Sequence, residues 1–159
     1  MLKKILLVGF LLLIILTGIV LFYFAYLGYQ SKSGQPSGLV NAMLAKCPAK
    51  PNCVNSEFKE DTTHFIEPLT LSTLPSKDIV AVIISVIEKS GGTVVSQQEH
   101  YVAATFTSNI FGFVDDLEVR LDETNKLIHI RSASRVGYSD LDQNRKRVSG
   151  IKQRLLPLL

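Results

Sequence analysis

The densest group of polar side chains in this 159-residue chain lies between Arg131 and Arg147. It contains the run Arg131-Ser-Ala-Ser-Arg-Val-Gly-Tyr-Ser-Asp140 and, four residues later, Asn144-Arg-Lys-Arg147. Arginine guanidinium groups bind carboxylates and phosphates through two parallel hydrogen bonds, so this density could mark a site for an anionic group. The same residues could instead form a hydrogen-bonded network that fixes strand register and helix docking.

Strand pairing predicts that several of these side chains meet. The strand that begins at Asp115 alternates between apolar and charged residues, as expected for a strand with one apolar face. Paired as a hairpin with the following strand, it places Asp115 opposite Ser134 and Leu117 opposite Ser132. Asn144 interrupts the apolar stripe of the last predicted helix, and a buried amide needs hydrogen-bond partners. We therefore expect Asp115, Ser132, Ser134 and Asn144 to converge at one end of the core.

Two interpretations of this convergence stay open. In the first, the side chains form a satisfied polar network, in which Arg135 or Arg145 pairs with an aspartate. In the second, they line a pocket whose arginines hold an anionic ligand. The second interpretation gives the following candidate ligand-binding residues: Asp115, Asp116, Arg131, Ser132, Ser134, Arg135, Asp140, Asn144 and Arg145.

Nucleophilic catalysis by the two serines has little support in the sequence. A serine nucleophile needs a neighbouring base, but His129 points to the opposite face of its strand from Ser132 and Ser134. Asp115 and Asp116 also point to opposite faces, so they cannot share one acid–base site. The sequence has no glycine-rich phosphate loop and no metal-ligand cluster, and we expect neither a metal nor a cofactor. A non-enzymatic role is favoured.

The two cysteines, Cys47 and Cys53, flank a short loop that contains two prolines. In an oxidising compartment such a pair is expected to form a disulfide, which would pin a stiff turn. Reduced or metal-bound cysteines are the alternative, although no obvious histidine partner accompanies them.

The soluble part is predicted to be a two-layer α+β domain. Its elements are a strand, a helix, four strands and a last helix, over 64–69, 77–89, 93–97, 101–108, 115–122, 126–135 and 140–156. Ser76 and Asp78 offer capping oxygens to the first helix and Ser139 to the last. The β-branched residues within 79–87 keep a strand as an alternative there. Short connections between consecutive strands predict an antiparallel sheet with both helices on its one apolar face.

Several separated motifs resemble those of domain-of-unknown-function family 1499. They are Cys47-Pro-x-x-Pro-Asn-Cys-Val-x-Ser56, Phe113-Val-Asp-Asp-x-Glu118, the run from Arg131 to Asp140, and Asn144-Arg-x-Arg147. The resemblance covers 47–156 and implies that these motifs belong to one domain. The family is widespread in bacteria, its members often carry a membrane or export segment, and it has no established activity to transfer. Similar sequences have glycine where this chain has Asp142, so the start of the last helix is expected to differ slightly.

Residues 5–27 form an unbroken apolar run without any charge. About 20 apolar residues are enough for a helix to cross the hydrocarbon core of a bilayer. Lys3 and Lys4 precede the run, which predicts a cytoplasmic N-terminus and places the rest of the chain on the far side. A cleaved signal peptide would have a shorter apolar core, and a lipoprotein cysteine would not follow a lysine such as Lys46. We therefore expect an uncleaved single-pass anchor.

Charge is distributed unevenly along the domain. Residues 55–125 contain 12 acidic and 4 basic side chains, whereas residues 131–159 contain 7 basic and 2 acidic ones. The near balance of the whole domain argues against nucleic-acid binding. The basic segment is expected to pair with the acidic middle of the domain, and contact with anionic lipid headgroups is the alternative.

Together these features predict a bacterial protein of the inner (plasma) membrane. It would have cytoplasmic residues 1–4, a transmembrane helix over 5–27, a flexible linker over 28–46 and a periplasmic (extracytoplasmic) domain over 47–159. The expected function is a binding module, near the membrane, for a small anionic or lipid-like ligand or for an envelope protein. The alternative is an envelope hydrolase or transferase that uses the same cluster of Asp, Ser, Arg and Asn side chains.

Overall fold

The computed structural model describes residues 1–71 and 76–159, with only the backbone described for 76 and 77. The helices are α1 (Leu2–Ser31), α2 (Ser76–Lys89) and α3 (Gln143–Leu155), the last followed by a 3₁₀ turn at Leu156–Leu158. The strands are β1 (Leu39–Val40), β2 (Met43–Leu44), β3 (Cys53–Asn55), β4 (Leu69–Thr70), β5 (Thr93–Gln98), β6 (Tyr101–Thr107), β7 (Val114–Asp122) and β8 (Leu127–Ser134).

Strands β3 to β8 form one antiparallel sheet in the order β3-β8-β7-β6-β5, and β4 pairs with the first residues of β8. β7 and β8 form a long hairpin in which Asp115 lies opposite Ser134 and Leu117 opposite Ser132. This register confirms the prediction made from the alternation of β7. A slip by one residue would have turned every side chain of the strand to the wrong face.

The α+β prediction is confirmed, because α2 and α3 pack on one face of the sheet and form the core with it. From β7 this face presents Leu117, Val119 and Leu121, all of them buried. The helices contribute the buried apolar side chains Ile79, Val80, Ile83, Val86, Ile87, Val148, Ile151 and Leu155. The seven β-branched residues within 79–87 that favoured a strand as an alternative for α2 are thus core contacts of a helix, five of them buried and two partly buried.

The opposite face of the sheet carries charged side chains, yet it is also largely buried. Glu118 has no exposed surface and Arg131 is 5% exposed. The cover is the segment between α1 and the disulfide loop, because the Gly38 N–H donates to Glu118 Oε1 over 2.7 Å and the buried Leu44 packs with Tyr101. The segment predicted to be a flexible linker therefore forms a third, irregular layer, which includes the β1–β2 hairpin.

Helix α1 extends beyond the predicted span and contacts the domain directly. It is long and apolar enough to cross a membrane, and none of its most apolar stretch is buried in the protein. Its last turn is different, because Gly28 and Ser31 are buried against the loop that joins β6 and β7. The Ser31 hydroxyl accepts a hydrogen bond from the backbone N–H of Val114 over 3.0 Å, at the start of β7.

The last helix begins three residues later than predicted. Leu141 and Asp142 have φ values of 54° and 62°, in the left-handed region, so neither can belong to a right-handed helix. The Asp140 carboxylate accepts the N–H groups of Asp142 and Asn144 and thereby replaces the predicted Ser139 cap. Leu141, which lies within the helix predicted over 140–156, is 80% exposed. A left-handed Asp142 also explains why glycine would suit this position.

The strand predicted over 64–69 is much shorter in the structure. Phe65 forms one isolated bridge with Asn55, and regular pairing is confined to β4. Pro68 lacks a backbone N–H, which limits pairing just before β4. The cap predicted at Ser76 falls on a side chain outside the described residues.

Candidate functional site

The predicted convergence of polar side chains is confirmed at the end of the core nearest α1. Asn144, almost fully buried on α3, accepts a hydrogen bond from the Ser132 hydroxyl over 2.6 Å. Its amide donates to the Ser134 hydroxyl and to the backbone carbonyl of Asn52, both over 3.0 Å. The Asn144 amide, which interrupts the apolar stripe, therefore finds its partners on strand β8 and in the loop before β3.

Arg147 completes this group, which we call the polar cluster: Asp115, Ser132, Ser134, Asn144 and Arg147. Its guanidinium donates to Asp115 Oδ2 over 2.6 Å and to the Ser132 hydroxyl over 3.0 Å. It also lies over the ring of Phe106, 4.7 Å from the centroid. Arg147 was absent from the predicted candidates, although its position one helical turn after Asn144 put it on the same face.

Arg135 and Asp116 form a second group on the opposite face of the sheet. The guanidinium binds both carboxylate oxygens, with donor–acceptor distances of 2.7 to 3.0 Å. Its remaining terminal nitrogen donates to the backbone carbonyl of Ser31 over 3.1 Å, at the end of α1. A cation at this end of a helix is favourable because the last carbonyl groups lack partners within the helix. Arg135 thus connects the sheet to α1.

Glu118 and Arg131 form a third group on the same face, further from α1. Arg131 donates to Glu118 Oε2 and the Tyr101 hydroxyl donates to Oε1, both over 2.7 Å. Burial, together with the hydrogen bond and charge of Glu118, raises the pKa of the Tyr101 phenol, which keeps it a neutral donor. These contacts hold the third layer through Gly38, and Gly38, Tyr101 and Arg135 also line a cleft of about 760 Å³ on this face.

The two remaining candidates have local roles. Asp140 caps α3, as described above. Arg145 donates to the backbone carbonyls of Phe65 and Thr63, over 3.2 and 3.1 Å, and so ties α3 to the loop before β4. The nine predicted residues are therefore spread over both faces of the sheet and the start of α3, and they do not line one pocket.

The predicted disulfide is present between Cys47 and Cys53. Its loop presents Asn52, whose backbone carbonyl accepts bonds from Asn144 and from the backbone N–H of Ser134. The Asn52 side chain donates to the carbonyl of Gly137 over 3.1 Å. The cysteine motif and the Arg131 to Asp140 run thus meet in space, and Asn52 is a residue of this region that the sequence analysis missed.

A cleft of about 470 Å³ lies beside the polar cluster, and we call it the junction cleft. One wall is the C-terminal part of α1, with Tyr23, Phe24 and Leu27. The other walls are the loops 108–113 and 136–141, which we call the rim loops. The ring of Phe24 contacts those of Phe111 and Phe113, with centroids 5.4 and 6.4 Å away.

Two members of the polar cluster, Asp115 and Ser134, reach the junction cleft, whereas Asn144 lines a separate pocket of only about 90 Å³. The cleft therefore has aromatic walls and a small polar end. Such a combination suits a molecule with an apolar part and a hydrogen-bonding group.

The hydrogen bonds within the polar cluster limit the reactions that its side chains could catalyse. The Ser132 and Ser134 hydroxyls bond to Asn144, and Ser132 also bonds to Arg147, so their partners are amide and guanidinium groups rather than bases. His129 lies on the other face, 3.2 Å from the Ser56 hydroxyl. Within residues 1–71 and 76–159, no three His, Cys, Asp or Glu side chains are grouped to hold a metal ion.

The basic segment pairs with the acidic strand, one of the two outcomes considered from the charge distribution. Three ion pairs join them, with nitrogen–oxygen distances of 2.6 to 2.7 Å: Arg131–Glu118, Arg135–Asp116 and Arg147–Asp115. Each of these arginines thus already donates to a carboxylate, and Arg135 does so through two nitrogens.

A comparison with curated proteins gives no match. The model of one protein family matches residues 43–155, the stretch that contains the disulfide, the hairpin, the polar cluster and α3. The chain therefore belongs to that family, described as protein of unknown function (DUF1499).

Proposed function

We propose that this protein is a membrane-anchored binding module whose site is the junction cleft and whose ligand is a small amphiphilic molecule. In this proposal α1 spans the plasma membrane with Met1 in the cytoplasm, because Lys3 and Lys4 precede its apolar run. The domain then lies outside the cytosol, where the Cys47–Cys53 disulfide is stable.

The contacts of α1 with the domain support an anchor that stays attached. Ser31 bonds to Val114, Arg135 bonds to the Ser31 carbonyl, and Phe24 packs on Phe111. Removal of α1 would take away these contacts together with one wall of the cleft. A leader that is cut off has no need for them.

The observation that carries the proposal is the composition of the junction cleft. Its walls include Phe24, Phe111 and Phe113, and its polar end is formed by Asp115 and Ser134. An apolar group would replace water along the aromatic walls, which is favourable by about 25 cal/mol per Å² of apolar surface buried. A hydroxyl or amide group of the ligand would reach the polar end, where Ser134 is half-buried.

The arginines give a reason to prefer an amphiphile over a strongly anionic ligand. Arg135 and Arg147 each bind an aspartate, so an anion would have to displace a carboxylate from a largely buried ion pair. An envelope protein as the partner, or a hydrolase reaction at the serines, has no comparable feature to support it.

The proposal is tested by native mass spectrometry of the full chain released from lipid nanodiscs. The discs contain equal amounts of phosphatidylethanolamine and phosphatidylglycerol, which serve as the amphiphilic probes. We expect the protein to retain one lipid molecule. Val136→Trp, which fills the cleft from the second rim loop, should lose it, whereas Thr124→Trp, at the exposed turn between β7 and β8, should keep it.

Equal lipid retention in Val136→Trp and the unchanged protein would refute the junction cleft as the site. Retention of no lipid by either protein would refute the amphiphilic ligand. A protein that co-purifies in place of lipid, and that Val136→Trp releases, would favour the envelope-protein alternative.

A further inference from the structure

We propose that the two rim loops, 108–113 and 136–141, enter the outer leaflet of the membrane and hold the domain directly on the bilayer surface. The partner of this surface is the lipid bilayer itself. The inference rests on the membrane span proposed for α1, but it does not require the junction cleft to hold any ligand.

The length of α1 sets the depth of the rim loops. Phe24 follows Lys4 by 20 residues. At about 1.5 Å per residue this distance is about 30 Å, the thickness of the hydrocarbon core. With Lys4 at the inner boundary, Phe24 therefore lies at the outer one. The ring of Phe111 contacts Phe24 with centroids 5.4 Å apart, so the first rim loop lies at the same depth.

The side chains at the tips of the rim loops suit this environment. Ile110 is 85% exposed, Leu141 is 80% exposed and Tyr138 is 70% exposed. Large apolar side chains grouped at one end of a domain favour contact with an apolar partner. Isoleucine and leucine gain from burial among acyl chains, and tyrosine is favoured at the level of the headgroups.

The opposite end of the sheet has a different composition. The turn before β6 contains Glu99 and His100, and the turn between β7 and β8 contains Glu123, Thr124, Asn125 and Lys126. β7 spans 9 residues, which places that turn about 30 Å from the rim loops. The three exposed side chains Ile110, Tyr138 and Leu141 thus lie at the end of the sheet that surrounds α1.

The contact between the first rim loop and α1 indicates which partner the rim loops meet. Lipid surrounds a single membrane-spanning helix on all free sides, and Phe111 touches that helix within its apolar run. A second protein could reach the rim loops only by displacing this lipid. The bilayer is therefore the occupant that the geometry of α1 brings to the surface.

The test uses a polarity-sensitive nitrobenzoxadiazole label on single cysteines in the full chain, reconstituted into nanodiscs. Both natural cysteines are joined in the disulfide, so only the introduced thiol reacts. The labelled variants are Ile110→Cys and Leu141→Cys at the rim loops and Thr124→Cys as the control at the distant turn. All three side chains are exposed, so the fold tolerates their replacement.

We expect blue-shifted emission from the labels at 110 and 141, and loss of most of this emission when the nanodiscs contain lipid with a spin label near the headgroup. The label at 124 should emit as in water and be unaffected by that lipid. Emission at 110 and 141 that matches the control would overturn the proposal. Blue-shifted emission that the spin-labelled lipid leaves unquenched would also overturn it, because a protein would then cover the surface.

Discussion

Arg135 connects three parts of the protein through one side chain. It pairs with Asp116 on β7, extends from the end of β8 and donates to the Ser31 carbonyl on α1. Loss of its guanidinium would leave the buried Asp116 carboxylate without its bidentate partner. Breaking a buried ion pair in this way is strongly destabilising, whereas surface pairs contribute little.

We therefore predict that Arg135→Ala lowers the free energy of unfolding by about 3 kcal/mol. Urea unfolding of the full chain in detergent micelles, followed by circular dichroism, measures this change. Arg154→Ala is the matched control, because its exposed guanidinium makes only long contacts of 3.4 and 3.5 Å. If both variants unfold at the same urea concentration, Arg135 is not a structural connector.

Protonation of His129 makes the stability of the folded protein depend on pH. Burial lowers the pKa of its imidazole, more than the neighbouring acidic Glu57 can offset. The folded protein therefore binds a proton at His129 less readily than the unfolded chain does. Stability is then lost as pH falls below about 6.5, the value for an unperturbed histidine.

The expected result is a decrease in the free energy of unfolding between pH 7 and pH 5 that is smaller in His129→Gln, which cannot be protonated. His64 and His100 are present in both proteins. The difference between the two pH dependences therefore reports the protonation of His129 alone. Urea unfolding at a series of pH values measures it. An identical pH dependence in the variant would show that His129 is protonated equally well in the folded state.

At the scale of elements, the close packing of α1 on the loop between β6 and β7 depends on Gly28. A Cβ atom at this position would lie 1.8 Å from the carbonyl oxygen of Phe111, and this neighbour is backbone. The helix or the loop would have to move. The Cβ of an alanine at Gly18, in the same helix, would meet no atom within 4 Å.

Gly28→Ala should therefore separate α1 from the first rim loop and lower the free energy of unfolding by about 1 to 3 kcal/mol, as overpacking does. Thermolysin cleavage within residues 108–113, in nanodiscs, should become faster for the same reason. Gly18→Ala should leave both measurements unchanged. Equal cleavage of the two variants would mean that α1 and the loop are not packed together.

The hairpin of β7 and β8 was predictable because the order of apolar and polar side chains along the two strands indicates it. Alternation along β7 indicated the buried face, and pairing it as a hairpin with the next strand across the turn at 123–125 placed Asp115 opposite Ser134. Asn144 was identified by its place in an apolar stripe. These signals are local, and the structure did not have to be known to use them.

The third layer was not predictable for the opposite reason. Its attachment at Gly38 uses a backbone N–H, which no side-chain pattern reveals, and its composition is that of a flexible linker. Alternation placed Glu118 on the charged face of the strand, and the third layer buries it there. The register that puts Asp115 opposite Ser134 also puts Glu118 opposite Arg131.

At the scale of the whole molecule, α1 and the domain form a continuous structure. The end of the sheet nearest α1, the rim loops and α1 enclose the junction cleft. The disulfide loop stiffens the same end through Asn52. Residues of the family motifs thus pack against the residues that line the cleft, whichever molecule occupies it.

The central claim, that an amphiphile occupies the junction cleft, is tested most directly by photo-crosslinking. The full chain is reconstituted with phosphatidylethanolamine that carries a diazirine in its acyl chain, illuminated and digested, and the adducts are located by mass spectrometry. We expect adducts on cleft-facing residues such as Phe113 and Val136, and fewer adducts on Phe113 in Val136→Trp, because the tryptophan occludes the cleft. Adducts confined to residues 5–22 of α1 would contradict it.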